Sequence, residues 1–263
     1  MTQPTPAPLP TRSRGSAGEI LRLTEVTKVF GRGASSTVAL QGVDLAVARG
    51  QFVTVVGASG CGKSTMLNLI AGLDKPTSGA MEVNGKVAFM FQDPTLLPWL
   101  TAEQNVDLAL KVSGMPRSQR GARTQDLLEL VNLRGFGDKR PHELSGGMRQ
   151  RVSLARVLAQ DADVVLMDEP LGALDAMTRD KMHDEIERIW TQLGLTILFV
   201  THNMREAVRL GDRVVLLSSR PGRVKRDTTI DLPRPRKMDS AEVATHAAEL
   251  TAALSDEVAA HVG

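Results

Sequence analysis

One nine-residue segment constrains this chain more than any other. GASGCGKST, Gly57 to Thr65, follows the apolar run FVTVV and opens a helical pattern. It fits the spacing G-x-x-x-x-G-K-[ST] at Gly57, Gly62, Lys63 and Ser64. A polyphosphate needs several N–H donors converging on it, and glycine lets the backbone curl close with no Cβ in the way. The helix N-terminus adds a partial positive charge. On this reading Gly57, Ala58, Ser59, Gly60, Cys61, Gly62, Lys63, Ser64 and Thr65 form a nucleotide-phosphate cradle. Lys63 reaches the outer phosphates and the Ser64 hydroxyl ligates Mg²⁺. A chance match in a glycine-bearing loop is the competing explanation, and the strand-then-helix context weighs against it. Cys61 lies near a helix N-terminus, which tends to lower a thiol's pKa. Two roles stay open for it: a small loop residue, or a thiol whose alkylation blocks nucleotide binding.

The rest of the chain reads as strands alternating with helices, which argues for an α/β fold. Strand-like runs begin at Glu19 (ILRLTEVTKVF) and continue at Val38–Leu40, Val43–Val47 and Phe52–Val56. Val87–Phe91, Val164–Asp168 and Thr196–Thr201 are nearly continuous apolar runs, as expected of parallel strands covered on both faces. VVLLS and RVKRDTTIDL complete the set. Helical patterns cover Lys63–Ala71, Thr101–Val112, Ser118–Leu130, Met148–Ala159 and Thr178–Leu193. From about 93 to 160 there are helices but no good strand, which suggests an inserted helical subdomain. Residues 1–18 are rich in Pro, Ser, Thr, Gly and Arg and too poor in apolar side chains for a core, so disorder is expected there. The main domain is expected over 19–237, and 238–263 as a C-terminal helical extension whose docking the sequence leaves undetermined.

Composition narrows the class. A net charge of +2 over 263 residues lacks the basic excess of a nucleic-acid binder. Aromatic residues make up 3% and Tyr is absent, which weakens any base-stacking platform. No apolar run reaches bilayer-spanning length and the N-terminus shows no apolar signal core. Cys61 is the single cysteine, so no internal disulfide framework is available. A cytosolic globular protein is expected.

Two further segments carry chemistry. VVLMDE ends an apolar strand with Asp168 and Glu169, at the carboxyl end where open α/β sheets bind ligands. Asp168 is suited to hold Mg²⁺ through water, and Glu169 to orient or polarise an attacking water. The plain alternative is a helix N-cap or solvated turn. In LSGGMRQRVSLARVL, Ser145, Gly146 and Gly147 stand just before a helix, a second potential anion site. Two phosphate-binding loops with one acidic strand end are odd for a simple kinase or GTPase, and no N-K-x-D guanine-reading motif occurs.

Together these segments resemble the nucleotide-binding subunit of an ATP-binding cassette (ABC) transporter. GASGCGKST resembles the Walker A loop, MFQD the Q-loop with Gln92, LSGGM the signature, and VVLMDEP the Walker B with Glu169. LGALD resembles the D-loop with Asp175, and FVTH the switch carrying His202. All six stand in the family's order between about Glu19 and Lys237. The resemblance implies a P-loop NTPase (RecA-like) core with an inserted helical subdomain and a small antiparallel β part. It implies ATP and Mg²⁺ as cofactors, with Ser64, Gln92 and Asp168 at the metal. It further implies Glu169, His202 and Gln92 in hydrolysis, and Ser145, Gly146, Gly147 and Asp175 meeting ATP held by a second cassette in a head-to-tail dimer, most simply a homodimer. A strand-end polar residue is the plainer reading of His202. Where the family often stacks adenine on Tyr, Phe30 is the substitute here, with a core Phe as the alternative. Met148 stands where many members have Gln, a difference expected to alter helix packing.

The segment FQDPTLLPWLTAEQNV then gains a meaning. Pro94 and Pro98 disfavour helix or central strand, yet this loop carries Leu96, Leu97, Trp99 and Leu100. Folding back into the core is one reading. The resemblance implies another, a groove that receives a helix of a membrane permease through Leu96, Leu97 and Trp99. DPTLLPW, LSSRPGRV and DLPRPRK resemble the nitrate/sulfonate/taurine group of bacterial importers, which work with an external substrate-binding protein. The cassette would then sit peripherally on the cytoplasmic face of the membrane and power uptake of a small anion. The basic tract Arg220–Lys237 reads either as solvated charge or as lipid-headgroup contact, and little room is expected for a C-terminal regulatory domain. The rival function is a soluble ABC ATPase unconnected with transport, which usually carries a long coiled-coil insertion or two cassettes; neither is seen here.

Overall fold

Alternating apolar residues in β1 (Glu19–Phe30) place Leu21 and Leu23 on a buried face. The computed structural model that shows this describes residues 18–262 in backbone, and the side chains of all of these but residues 34 and 255–262. The expected N-terminal disorder lies outside the described residues, Gly18 excepted. β1 pairs antiparallel with β2 (Thr37–Ala48). β2 is one strand where the sequence suggested two short ones. The pairing slips near Glu25 and Gly42, both at positive φ, so a bulge absorbs the polar Gln41–Gly42 interruption without ending the strand.

The second sheet is built on β3 (Phe52–Val56), all five residues buried. α1 (Lys63–Ile70) follows it, then β4 (Ser78–Val83), which joins the other edge of β1. β4 was not anticipated, because SGAMEV is an edge strand of exposed and half-buried residues without apolar alternation. β5 (Val87–Met90) returns to the second sheet. Between it and β6 (Val164–Asp168) the chain forms α2 (Ala102–Val112), α3 (Arg117–Leu130) and α4 (Gly146–Leu158), with no strand, as the sequence indicated. α5 (Ala176–Leu193), β7 (Thr196–Val200), α6 (Met204–Leu210), β8 (Arg213–Leu217), β9 (Val224–Thr229) and α7 (Ala241–Val262) complete the order. The seven-residue α6 was also missed, being too short for a periodic signal. The sheet order is β5-β6-β7-β3-β8-β9, parallel except for β9.

This order decides where function sits. β7 lies between β6 and β3, with Asp168 and Val55 both registered on Val200. The carboxyl ends of three strands distant in sequence therefore open side by side, at the edge where parallel sheets bind ligands.

Three apolar clusters hold the frame. One joins the helices α2–α5 to the sheet and centres on Phe52, which meets Trp190 edge-on at 5.6 Å. The second fills the space between the two sheets and α1. The third docks α7 on α6, with Val243, Ala247 and Leu250 against Ala207 and Val208. The basic tract divides: Arg220, Arg223, Lys225, Arg226 and Lys237 are exposed, while Arg234 and Arg236 turn inward. Arg236 is buried and donates to the carbonyls of Val208 (2.7 Å), Gly211 (2.6 Å) and Ile230 (3.0 Å), stapling the end of α6. Arg234 pairs with Glu187 at 2.7 Å and Asp212 at 2.9 Å and lies 4.5 Å from the Trp190 ring centroid. Arg236 is an internal tie, and Arg234 is half-buried among its ion pairs. Among the described residues no helix is long and apolar enough to cross a membrane.

Candidate functional site

The phosphate loop sits where β3 ends and α1 begins. Gly62, the N-cap of α1, has φ +99°, and a Cβ there would lie 2.7 Å from both Ala39 O and Leu40 Cδ2, so only glycine fits. The first intrahelical bond runs from Met66 N–H to Gly62 O at 2.9 Å. The N–H groups of Lys63, Ser64 and Thr65 thus have no intrahelical acceptor and point outward from a positive dipole end. Lys63 is buried, and its ammonium donates to Gly57 O (2.9 Å) and Ala58 O (3.0 Å). The loop's own carbonyls hold the cation where phosphate oxygens would take over. Ser59, Gly60 and Ser64 are exposed on the loop's outer face.

Cys61 corrects one expectation. It is buried, its N–H is spent on Ala58 O at 3.3 Å, and burial pushes its thiol pKa up despite the nearby Lys63 charge. Desolvation outweighs the helix terminus, so the thiol is a packing group beneath the loop and is neither acidic nor accessible.

Next to the loop, the Ser64 hydroxyl stands close enough to Asp168, at the end of β6, to favour its charged form. Burial pushes the Asp168 carboxyl above the usual carboxylate range, and the Glu169 charge adds to this while Ser64 and Lys63 oppose it. A hydroxyl and a carboxylate side by side at the phosphate loop suit Mg²⁺, which takes one or two carboxylates together with substrate phosphates and water. A desolvated anion with few partners gains most from a cation placed beside it.

Glu169 has φ +44°, a strained value for a non-glycine residue, and its N–H is held by Val200 O at 3.0 Å. Its Oε2 lies 3.0 Å from His202 Nδ1, just beyond β7. The His202 side chain is otherwise open, 68% exposed. Gln92 is exposed at the end of β5, with Nε2 3.3 Å from where a Cβ on Gly172 would stand, the same turn that starts at Glu169. The structure thus brings Lys63, Ser64, Asp168, Glu169, His202 and Gln92 to one edge. Phe30 is 46% exposed with the Lys28 ammonium 4.9 Å from its ring centroid, which overturns the core reading and leaves a free aromatic face.

The signature residues stand apart. Ser145 is the N-cap of α4 and accepts from Met148 N–H at 3.2 Å. Among the described residues no hydrogen bond joins it to the phosphate loop. Gly147 differs from its neighbours: a Cβ there would lie 2.4 Å from Thr178 Cγ2, so this glycine allows α4 to approach α5 and is buried. Met148 is half-buried against the helical cluster, the packing role expected of it. Gln150, unremarked in the sequence, donates to Pro170 O and ties α4 to the Asp168–Glu169 turn. Asp175 is the exposed N-cap of α5, accepting from Thr178 N–H at 3.0 Å, and the Thr178 hydrogen bonds hold its carboxyl below the usual range. Sequence reasoning also missed Arg179, which donates to Leu171 O and Leu174 O and braces that turn. Both are side chain to backbone ties whose partners are fixed only by folding.

The Leu-Pro-Trp loop divides its side chains. Buried Asn105 on α2 organises the loop backbone, accepting from Leu97 N–H at 3.0 Å and donating to Leu97 O, Leu100 O and Thr101 O. Leu96 packs partly on the core, Leu97 is half-buried, and Trp99 is 66% exposed. Beside the loop runs a groove of about 310 Å³ lined by Leu73, Val87, Phe89, Phe91, Arg156 and Val157.

The family model described as ABC transporter matches residues 40–172. A nitrate import ATP-binding protein of Synechocystis sp. is 46% identical over 221 residues, 81% of this chain and 83% of its own length. An aliphatic sulfonates import ATP-binding protein of Rhodopseudomonas palustris is 46% identical over 89% of this chain and 83% of its own. Among solved structures, a dimeric post-hydrolysis state of an ATP-binding cassette bound to ADP and Pi is 34% identical, with a TM-score of 0.72 over 81% of this chain and 100% of that one.

Proposed function

The chain belongs to the ABC transporter family, and from that premise we propose that it powers uptake of a small anion such as nitrate, an aliphatic sulfonate or taurine. It is an ATPase cassette with a P-loop NTPase fold. The observation that carries the reading is the Glu169–His202 contact of 3.0 Å beside the phosphate loop. A carboxylate that can polarise water and an imidazole that can sense the γ-phosphate meet at one strand edge.

In the proposed reaction, the N–H groups at the start of α1 and the Lys63 ammonium hold the phosphates. Phe30 offers its exposed ring to adenine. Ser64, Asp168 and Gln92 would hold Mg²⁺, which would supply charge neutralisation to the reacting phosphates. Glu169 accepts a hydrogen bond from the attacking water and orients it in line with the γ-phosphorus. His202, anchored by Glu169, donates toward the γ-phosphate and withdraws when phosphate leaves. Water adds to phosphorus as the bond to the β-γ bridging oxygen breaks, yielding ADP and inorganic phosphate.

Ser145 is exposed at the start of α4, where the N–H groups of Gly146 and Gly147 have no intrahelical acceptor, an arrangement that suits an anion. A second copy of the cassette, placed head to tail, would supply the γ-phosphate, with Asp175 at the same interface. The apolar groove and exposed Trp99 suit a helix from a membrane permease; with such a partner the cassette would sit peripherally on the cytoplasmic membrane face, and an external binding protein would deliver the solute. The test is co-purification of tagged protein from detergent-solubilised native membranes, followed by reconstitution into liposomes with its partners. A polytopic membrane protein in about equal amount, and ATP-dependent uptake of labelled nitrate, alkanesulfonate or taurine, is the expected result. Recovery of soluble partners alone, with ATPase intact, overturns the transport reading.

A further inference from the structure

His202 poses a positioning problem. Its side chain is 68% exposed and, among the described residues, its hydrogen bond is to Glu169. An exposed imidazole with a single hydrogen bond owes its place to the backbone that carries it. Of its neighbours in the chain, Thr201 bonds the buried carboxylate of Glu206, on the first turn of α6, and Asn203 bonds both Thr201 and the Glu206 backbone.

Glu206 is 5% exposed and uses both oxygens. Oε2 accepts the Thr201 hydroxyl proton. Oε1 lies 2.6 Å from Nε2 of His183, which is 0% exposed on α5 and donates to it. Thr201 Oγ1 in turn accepts from Asn203 N–H at 3.0 Å, and Asn203 Oδ1 accepts from the N–H groups of Arg205 and Glu206 at 3.0 and 3.3 Å. The backbone on either side of His202 is therefore clamped through Thr201 and Asn203 to Glu206, and Glu206 is aimed by His183. No residue of this set is part of the phosphate loop.

We propose that His183 and Glu206 are positioning residues that hold the His202 segment in its hydrolytic pose, and that they make α5 the lever acting on it. The same helix opens at Asp175, two helical turns before His183, in the segment assigned above to the cassette interface. A shift of α5 on cassette pairing moves the Nε2–H that aims Glu206, and so moves His202 relative to Glu169. This rests on the ATPase reading of the site. It adds a route by which one end of α5 governs a side chain that α5 does not carry.

Full-length His183→Leu, His183→Gln and Glu206→Ala variants test it against wild type. ATPase, fluorescent-ATP affinity, thermal unfolding, and the ¹³C-histidine resonance of His202 (assigned by its loss in His202→Ala) are measured for each. His183→Gln keeps an N–H donor near the Nε2 position and is expected to retain kcat within about threefold. His183→Leu fills the space without a donor and is expected to lose kcat by roughly tenfold to a hundredfold with ATP affinity unchanged, the scale of a misplaced catalytic group. Its His202 resonance shifts while that of His183→Gln stays in place. Glu206→Ala should follow His183→Leu; if it does not fold, the two His183 variants decide alone. Equal loss in His183→Gln and His183→Leu, parallel loss of ATP affinity, or an unmoved His202 resonance in His183→Leu overturns the proposal. An inactive wild type would instead overturn the ATPase reading, and the resonance comparison would still judge the clamp.

Discussion

Glu169 and His202 stand 33 residues apart in sequence and 3.0 Å apart in space. The cause is the strand order: β6 and β7 are parallel neighbours, and Asp168 registers on Val200, so the residues just beyond each strand converge. Glu169 sits at positive φ to make this contact, a conformation that costs energy and that the Val200 hydrogen bond maintains. Glu169→Gln keeps the shape and removes the carboxylate charge on which the proposed role rests. Turnover should fall by roughly 10²–10⁴-fold while ATP binding persists. Phosphate release and nucleotide affinity measured on the same preparation check this.

Asp168 carries its charge against desolvation. A carboxylate whose folded pKa is raised binds more protons folded than unfolded, so stability falls as pH rises through the window from its unfolded to its folded pKa, and the penalty persists at neutral pH. Asp168→Asn should therefore unfold at higher urea than wild type at pH 7 in the absence of nucleotide. That advantage should fade on acidification below the ordinary carboxylate range, where both forms are neutral. ATPase should fall on the order of a hundredfold, since a charge-stabilising group is lost. A variant less stable than wild type at pH 7 would contradict this account of the site.

Trp99 is a surface residue on a loop held by Asn105. Trp99→Ala should leave unfolding free energy within about 0.5 kcal/mol of wild type and ATP affinity unchanged. Capture of the membrane partner should weaken by about 2 kcal/mol or more, the loss typical of an aromatic anchor. Chemical unfolding and quantitative pull-down separate the two effects.

Cys61 should be inert. Iodoacetamide labelling of the folded protein is expected to be slow at pH 7.5, and to rise with denaturant along the unfolding curve. Labelling as fast as a free thiol under native conditions would show the loop to open well before global unfolding.

Arg236 caps carbonyls at the end of α6, and burial lowers its pKa only to about 10, so it stays charged at neutral pH. Arg236→Met preserves much of the volume and leaves those acceptors unpaired. A loss of roughly 2–4 kcal/mol in unfolding free energy is expected, with Arg236→Lys in between. Urea denaturation of the three proteins reads it directly.

The local chemistry was legible in the sequence by itself. A loop of glycines between a strand and a helix, an acidic pair after an apolar run, and a Ser-Gly-Gly helix start depend on neighbours within a few residues, so their backbone geometry is written in their own order. The α/β alternation, the helical stretch between β5 and β6, and the family resemblance followed from such short-range patterns. Tertiary structure alone decided the rest, because it turned on partners far away in the chain. Burial reversed the expected acidity of Cys61, long-range ion pairs drew Arg234 inward, and distant backbone carbonyls did the same for Arg236. One buried asparagine set which side chains of the Leu-Pro-Trp loop face water. The clamp of His183, Glu206 and Thr201 joins α5 to the residues after β7, and no local pattern announces it. A sequence states what each segment can do with its neighbours; desolvation and hydrogen-bond partnership across the fold decide which of those possibilities is realised.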